Sequence, residues 1–415
     1  MDPAKTSPTP LFDHVESMHD ERSIRAFFDQ HVAVRGLPDG AFEDYRRAGE
    51  FLYSYRGSQD TFASYRRELE RLLQWSWLFA GCSLIQLKRA DIEAFVEFCQ
   101  YPPLAWIGVK TVSRFVDSEG RRVPNPAWRP FVARRAKAAE AKAPDPSLYS
   151  LSQGGIQAIF SVLSSFFNYL IQEEYVAFNP VAQIRQKSRF LRKRQTQAKI
   201  RRLSELQWAY VIETAEMMAA EQPEEHERTL FVMEALYGMY LRISELAARP
   251  RWVPQMGDFH QDIEGNWWFT TVGKGNKERD ISVSDDMLRA LKRYRRYLGL
   301  SELPAPGETT PLVMRNRGRG GIGSTRQIRA IVQHCFDRAV ARMMDDGFSE
   351  DAESLKSATV HWLRHTGISD DVKFRPREHV RDDAGHGSSA ITDRYIDVER
   401  RERHRSARNK RLRPE

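Results

Sequence analysis

The amino-acid sequence predicts a mainly α-helical protein with a small antiparallel β-sheet, divided into two domains by a basic linker. Three observations lead to this class. The 415 residues suffice for two or three domains, and 41% hydrophobic residues with a mean hydropathy of −0.58 describe a core-forming chain rather than a disordered or membrane one. Apolar residues recur at helical spacing in both halves, while one segment alternates with the period of two expected of strands. Between Gln183 and Arg202 the run QIRQKSRFLRKRQTQAKIRR carries nine lysines or arginines and no acid, and it separates two apolar, helix-patterned regions.

Residues 1–50 read as an N-terminal extension with ten acids against six lysines or arginines, a balance that suits protein contact or packing better than DNA binding. Residues 51–182 read as a helical domain. Thr61 to Phe79 sets Tyr65, Leu69, Leu72, Leu73 and Trp77 near one helical face, Asp91 to Gln100 starts a second helix, and Leu151 to Tyr175 is a third, ending before Asn179-Pro180. An insert near residues 102–146, rich in Pro, Arg, Lys and Ala, reads as a long irregular excursion with one basic helix around Phe131 to Ala143. Residues 183–203 form the linker, which either tracks a phosphate backbone or serves as a solvated tether.

The second half, residues 204–400, changes character. Ser204 and Gln207 form a capping box that opens a helix to Gln222. In LFVMEALYGMYLRISELAA a buried helix breaks near a glycine and a second helix starts, with Arg242 at the break. An arginine there is costly unless it is paired or aimed at a ligand, and Glu245 three residues on is the candidate to orient it, or simply its ion-pair partner. NWWFTTVGKGNKERDISVS alternates as a hairpin, with strands near Trp267 to Val272 and Arg279 to Val283 and Lys274 on its tip. Lys277 competes for the same role. Gly273-Lys274-Gly275 lacks the spacing and the following Ser or Thr of a nucleotide-phosphate loop.

The Pro-, Gly- and Arg-rich stretch from Ser301 to Ser324 reads as a connection, followed by a helix from Thr325 to Met344. HWLRHTGIS then puts His361 and Arg364 on one helix face, able to address one phosphate together. His361 and His365 resemble a zinc pair only in spacing, because Trp362 stands where a glutamate is needed and a third ligand is not apparent. DAGHGSSAITDRYIDVERR is expected to set Gly385-His386 at a helix start and Tyr395 on the next helix, with residues 401–415 as a basic tail.

The formal charge of +8 and an isoelectric point near 9.3 fit a polyanionic partner, although many basic enzymes never touch nucleic acid. Cys82, Cys99 and Cys335 are too few and too far apart for a disulfide framework or a Cys-x-x-Cys metal site, which points to a reducing cytoplasm. The N-terminus lacks an apolar signal-like core and no run of 18 apolar residues occurs, so neither secretion nor a membrane is expected.

Arg242, Lys274, His361, Arg364 and His386, followed by Tyr395, make chemical sense around one phosphodiester. Two arginines can clamp the non-bridging oxygens, a lysine can protonate a leaving oxygen, and a tyrosine can attack phosphorus. A phenol with an ordinary pKa of about 10 needs several nearby cations to favour its phenolate. No metal or other cofactor is called for by this set.

The segments ALYGMYLRISEL, VGKGNKERDISV, HWLRHTGIS and AGHGSSAITDRYIDV, in that order, resemble the catalytic domain of the tyrosine recombinases, the phage integrase family. The helical half is similar in pattern to that family's core-binding domain, so the resemblance implies a two-domain DNA clamp. It also implies that Tyr395 attacks the scissile phosphate to form a 3′-phosphotyrosyl link. Arg242 and Arg364 would neutralise the transition state, Lys274 would act as general acid, and His361 would help deprotonate the tyrosine. His386 would hydrogen-bond the phosphate, and Glu245 would support the site from behind. Arg185, Lys187, Arg189, Arg192, Lys193 and Arg194 in the linker, with Lys277 and Arg279 on the hairpin, are the expected DNA contacts. The implied partners are double-stranded DNA with specific half-sites, a homo-tetramer on that DNA and accessory proteins, in the cytoplasm at the nucleoid. Two other readings share the pattern: relaxation of DNA by a type IB topoisomerase, and a non-catalytic DNA-binding regulator on the same scaffold.

Overall fold

The computed structural model describes residues 7–18, 21–32, 37–133, 145–184, 190, 201–249, 252–273, 275–316, 320–387 and 408. The chain divides into two compact units, Met1–Gln195 and Thr196–Glu415.

The first unit is built on helices α1 (Glu21–His31), α2 (Ala41–Tyr53), α3 (Gln59–Trp75), α4 (Arg89–Gln100) and α5 (Gln153–Gln172). By length and composition α5 could cross a membrane. Here it is a core helix, with Ile156, Ile159, Leu163, Phe166, Phe167 and Leu170 buried. The expected division after residue 50 is not a structural one, because α2 runs across it and the preceding residues share the same core. Leu11 and Phe12 are buried, their backbone N–H groups donate to Glu70 Oε1 at 3.2 Å each, and Phe12 stacks on Tyr45 at 4.8 Å. Asp44 is fully buried and accepts from Trp77 Nε1, Ser83 Oγ, Leu84 N and the Tyr175 hydroxyl, so a single carboxylate ties α2 to the turns after α3 and α5. Burial raises its pKa, and these donors work against the rise.

The insert contains short strands where a basic helix was expected. β1 (Ile107–Gly108) pairs in parallel with β4 (Phe131–Val132), and β2 (Phe115–Ser118) pairs antiparallel with β3 (Arg121–Pro124). Phe131 is fully buried under the Arg71 guanidinium, which donates to Pro130 O, so local packing onto α3 overrides helical propensity there. Residues 134–143 of the expected helix lie outside the described residues, as does most of the linker. Phe190 packs on Phe160 in the first core.

The second unit holds α6 (Glu205–Glu221), α7 (Pro223–Gly238), α8 (Ile243–Leu246), α9 (Asp285–Tyr297), α10 (Thr325–Asp345), α11 (Ser349–Lys356), α12 (Val360–Asp371) and α13 (Arg377–Ala384). Between α8 and α9 lies an antiparallel sheet in the order β5 (Phe259–Gln261), β6 (Trp267–Val272), β7 (Glu278–Ser282). Ser204 and Gln207 make the expected capping box, with bonds of 3.1 and 2.9 Å in the two directions. Phe269 and Ile281, paired across the hairpin, enter one core with the buried faces of α6, α7, α9 and α10. β5 has only three residues, too few to show the alternation that revealed its neighbours.

Helix α12 lies directly on the end of α7. A Cβ on Gly367 would sit 2.2 Å from the Tyr237 carbonyl oxygen, so this approach tolerates no side chain. Gly367→Ala should therefore destabilise the protein by about 1–3 kcal/mol as the helices separate, seen as a lower midpoint in urea unfolding. An unchanged midpoint would mean that the two helices can part without cost.

Candidate active site

The site begins where α7 ends. The chain turns at Tyr240, whose φ is 49°, a conformation that costs a bulky residue about 1–3 kcal/mol. Its ring is 1% exposed, packed with Ile368, Val380 and Ala384, and its hydroxyl bonds to Asp371. These contacts hold the turn, which leaves Leu241 in the core and delivers Arg242 to the start of α8, with its side chain 30% exposed.

Glu245, one helical turn on, has no exposed surface. Its Oε1 accepts from Arg242 Nη1 at 2.8 Å and Arg279 Nη1 at 2.9 Å; its Oε2 accepts from the Arg242 backbone N–H at 2.8 Å and Arg279 Nη2 at 3.0 Å. Burial alone would raise its pKa, but the Arg279 hydrogen bonds and charge, then those of Arg242, hold it below the usual carboxylate range. Two guanidinium groups share one carboxylate, and the trio keeps a net positive charge.

The C-terminal end of α13 completes the arrangement. Three successive carbonyls each receive a different arginine: Asp383 O takes Arg279 Nε at 3.0 Å, Ala384 O takes Arg364 Nη2 at 2.5 Å, and Gly385 O takes Arg242 Nη2 at 3.5 Å. Carbonyls at a helix C-terminus lack intrahelical partners and carry the negative end of the helix dipole, so they attract cations. Gly385 adopts φ 62° to close the helix. This corrects the expectation that Gly385-His386 opens a helix: the pair ends one. Arg364, 2% exposed, also donates through Nη1 to Tyr240 O.

Three imidazoles border the arginines. His361 lies one turn before Arg364 on α12, with its ring 4.1 Å from that of His365, while His386 follows Gly385. Partial loss of hydration, then the Arg364 and Arg242 charges, lower the pKa of His361 even though the residue reaches solvent. Burial first, then neighbouring imidazole and guanidinium groups, push His365 down to about 3; burial, then Arg364 and Arg242, push His386 down to about 4. With pKa values lowered below the ordinary 6.5, all three favour the neutral imidazole near pH 7.

The hairpin closes through Gly273 N–H to Lys277 O at 2.8 Å, with Gly275 and Asn276 in the left-handed region. A Cβ on Gly273 would lie 3.1 Å from Glu245 Oε1 and 3.5 Å from Arg242 Nη1, so the residue preceding Lys274 rests on the carboxylate cluster. Lys274, Tyr395, Arg185, Lys187, Arg189, Arg192, Lys193 and Arg194 lie outside the described residues. Of the two hairpin residues expected to contact DNA, Lys277 is exposed, but Arg279 is turned inward, with all three guanidinium nitrogens engaged by Glu245 and Asp383. Its part is to support Glu245. Sequence reading also missed a polar network behind the site, formed by Tyr240, Asp371, Arg375, Asp383 and Ser282. The charges in DDVKFRPREHVRDD were its only local trace.

The histidine shifts carry a sign. Unfolded histidine titrates near 6.5, so below that pH the unfolded chain takes up protons that the folded site refuses. The stabilisation is present above about pH 6.5 and is lost as the pH falls toward the lowered folded values. Wild-type protein should therefore lose thermal stability faster than His365→Asn between pH 6.5 and 4. Parallel melting curves across that window would show that His365 carries its proton in both states.

No family model matches the chain. Tyrosine recombinase XerC of Thermodesulfovibrio yellowstonii is 27% identical over 251 residues, 58% of this chain and 69% of the relative. XerC of Chlorobaculum parvum is 24% identical over 247 residues, 57% and 66% of the two chains. The match thus spans about two thirds of these curated relatives. Among solved structures, the XerH site-specific recombinase bound to palindromic difH substrate, in a post-cleavage complex, aligns over 97% of this chain and all of that one, with a TM-score of 0.54 at 14% identity. The Tn1549 transposon integrase in complex with circular intermediate DNA aligns over 87% and 98%, with a TM-score of 0.51 at 15% identity. At such identities the structures speak for the fold, and the XerC relatives add the kinship in sequence. With this fold, these relatives and an arginine and histidine cluster gathered around the end of one helix, the chain is similar in sequence and in fold to the tyrosine recombinases.

Proposed function

We propose that the protein is a site-specific recombinase in which Tyr395 attacks the scissile phosphodiester, forming a 3′-phosphotyrosyl ester and releasing a 5′-hydroxyl. The observation that carries this reading is the seating of Arg242 and Arg364 on adjacent carbonyls, Gly385 O just past α13 and Ala384 O at its end, 3.5 and 2.5 Å away. Two guanidinium groups fixed on one short stretch of backbone suit the two non-bridging oxygens of a single phosphate. Neutral His361 accepts the phenolic proton, and His386 hydrogen-bonds a phosphate oxygen. Lys274, on the hairpin whose preceding glycine rests against Glu245 and Arg242, protonates the departing 5′ oxygen. The ester conserves the energy of the phosphodiester bond, so rejoining to a new strand needs no ATP or metal.

The partner is double-stranded DNA. The relatives and structural neighbours are recombinases and integrases, which favours strand exchange over simple relaxation. Exchange between two duplexes requires four active sites, hence a homo-tetramer on two paired sites. The first unit and the linker basic residues read the half-sites, and accessory proteins set the direction of the reaction. The cellular task is integration and excision of a mobile element or the resolution of joined replicons, both of which take place where the DNA is, at the nucleoid.

The purified protein, incubated with sheared DNA from its host, should become covalently attached at recurring sequence positions. Tyr395→Phe should still bind that DNA and yield no covalent product; a product that persists in the variant moves the nucleophile elsewhere. Cleavage should also proceed unchanged in excess EDTA. A requirement for added divalent metal would contradict the phosphate chemistry assigned to the arginines.

A further inference from the structure

We propose that Arg375 is a positioning residue for strand cleavage: from behind the site it sets the separation of the phosphate-binding arginines by tying the Tyr240 turn to the carbonyl end of α13. The proposal rests on the reading of Arg242 and Arg364 given above and concerns a residue outside the phosphate-binding set.

Arg375 lies in the short connection from α12 to α13. Its Nη1 donates to the Tyr240 hydroxyl at 3.0 Å and to Asp371 Oδ2 at 2.9 Å. Its Nη2 donates to Asp383 Oδ2 at 2.6 Å and to Ser282 Oγ at 2.9 Å. Asp383 is fixed further by the Ser282 hydroxyl at 2.5 Å and the Ser282 backbone N–H at 3.1 Å. The two arms of one guanidinium thus join two segments, the turn at Tyr240 and the last turn of α13.

Arg364 spans the same two segments from the other side, with Nη1 on Tyr240 O and Nη2 on Ala384 O. The two arginines are parallel rungs across one gap. The front rung belongs to the phosphate site, and the rear rung controls how wide the gap is. The carbonyls along the α13 side of the gap are the acceptors of the site itself: Asp383 O holds Arg279, Ala384 O holds Arg364 and Gly385 O holds Arg242. If the end of α13 shifts, all three arginines shift with it. The turn at Tyr240 has reason to move once released, because its φ of 49° is unfavourable for a bulky side chain. A lysine cannot replace the rear rung, since a single ammonium lacks the planar fork that reaches two acceptor pairs on opposite sides.

The test is single-turnover formation of the covalent complex on a nicked duplex carrying the cleavage site found with wild-type protein, alongside equilibrium DNA binding and thermal melting. Arg375→Lys should slow cleavage by about 10- to 100-fold, the scale expected when reacting groups are misplaced by about 1 Å, with DNA affinity unchanged. Tyr240→Phe, which keeps the ring packing and removes only the hydroxyl, should show a smaller slowing in the same direction. The charge of the scissile group provides a readout that general loosening of the fold would not move. On a duplex whose scissile group is a neutral methylphosphonate there is less charge to neutralise, so the gap between Arg375→Lys and wild type should narrow. Wild-type rates in both variants, or an equal defect on both substrates, would overturn the role of Arg375 alone. A wild-type protein that forms no phosphotyrosyl product on any duplex would overturn this proposal together with the nucleophile assigned to Tyr395.

Discussion

Glu245 is wholly buried, and a carboxylate in that position is tolerable only while cations and hydrogen bonds replace the water it has lost. It draws its four hydrogen bonds from two arginines far apart in sequence, one leading into α8 and one on β7. The hairpin, the break after α7 and the end of α13 are thereby brought into one register, since Arg279 reaches on to Asp383 O. A buried ion pair of this kind contributes little net stability, because desolvation offsets most of the attraction. What it gives is a defined geometry with a surplus positive charge.

That surplus is held in place by backbone. Guanidinium groups seated on the carbonyl end of a helix have already lost most of their rotameric freedom, so an arriving phosphate need not order them. Neutral acceptors orient a cation without cancelling its charge. The imidazoles fit the same logic: burial first, and then this much positive charge beside them, keeps them unprotonated.

How much of this was legible in the sequence follows from how local each contact is. Ser204 with Gln207, Arg242 with Glu245 and the β6 to β7 hairpin are governed by neighbours three to fourteen residues away, and spacing reveals them. Tyr240 at positive φ was not legible, because side-chain type points to glycine or asparagine for that conformation and the turn is held by residues more than 130 positions downstream. Arg279 looked like a surface cation on a strand, and only the fold turns it toward Glu245. The helix expected from Phe131 does not begin there, because residues 107 and 108 supply a strand partner for Phe131 and Val132. His386 was set at a helix start because glycine can serve at either end of a helix, and the left-handed φ that distinguishes the two ends is invisible in the sequence.

The opening residues of the chain carry a different lesson. Leu11 and Phe12 are inserted into the first core and clipped to Glu70, and Tyr45 donates to the Leu11 carbonyl at 2.8 Å. A fragment trimmed at residue 51, where composition changes, would strip a stacked aromatic and leave the Glu70 carboxylate without two of its donors, exposing a greasy groove prone to clumping. Anyone isolating this helical half for half-site binding, or fusing a reporter to it, should start ahead of Ser7 and let the appended module hang from there.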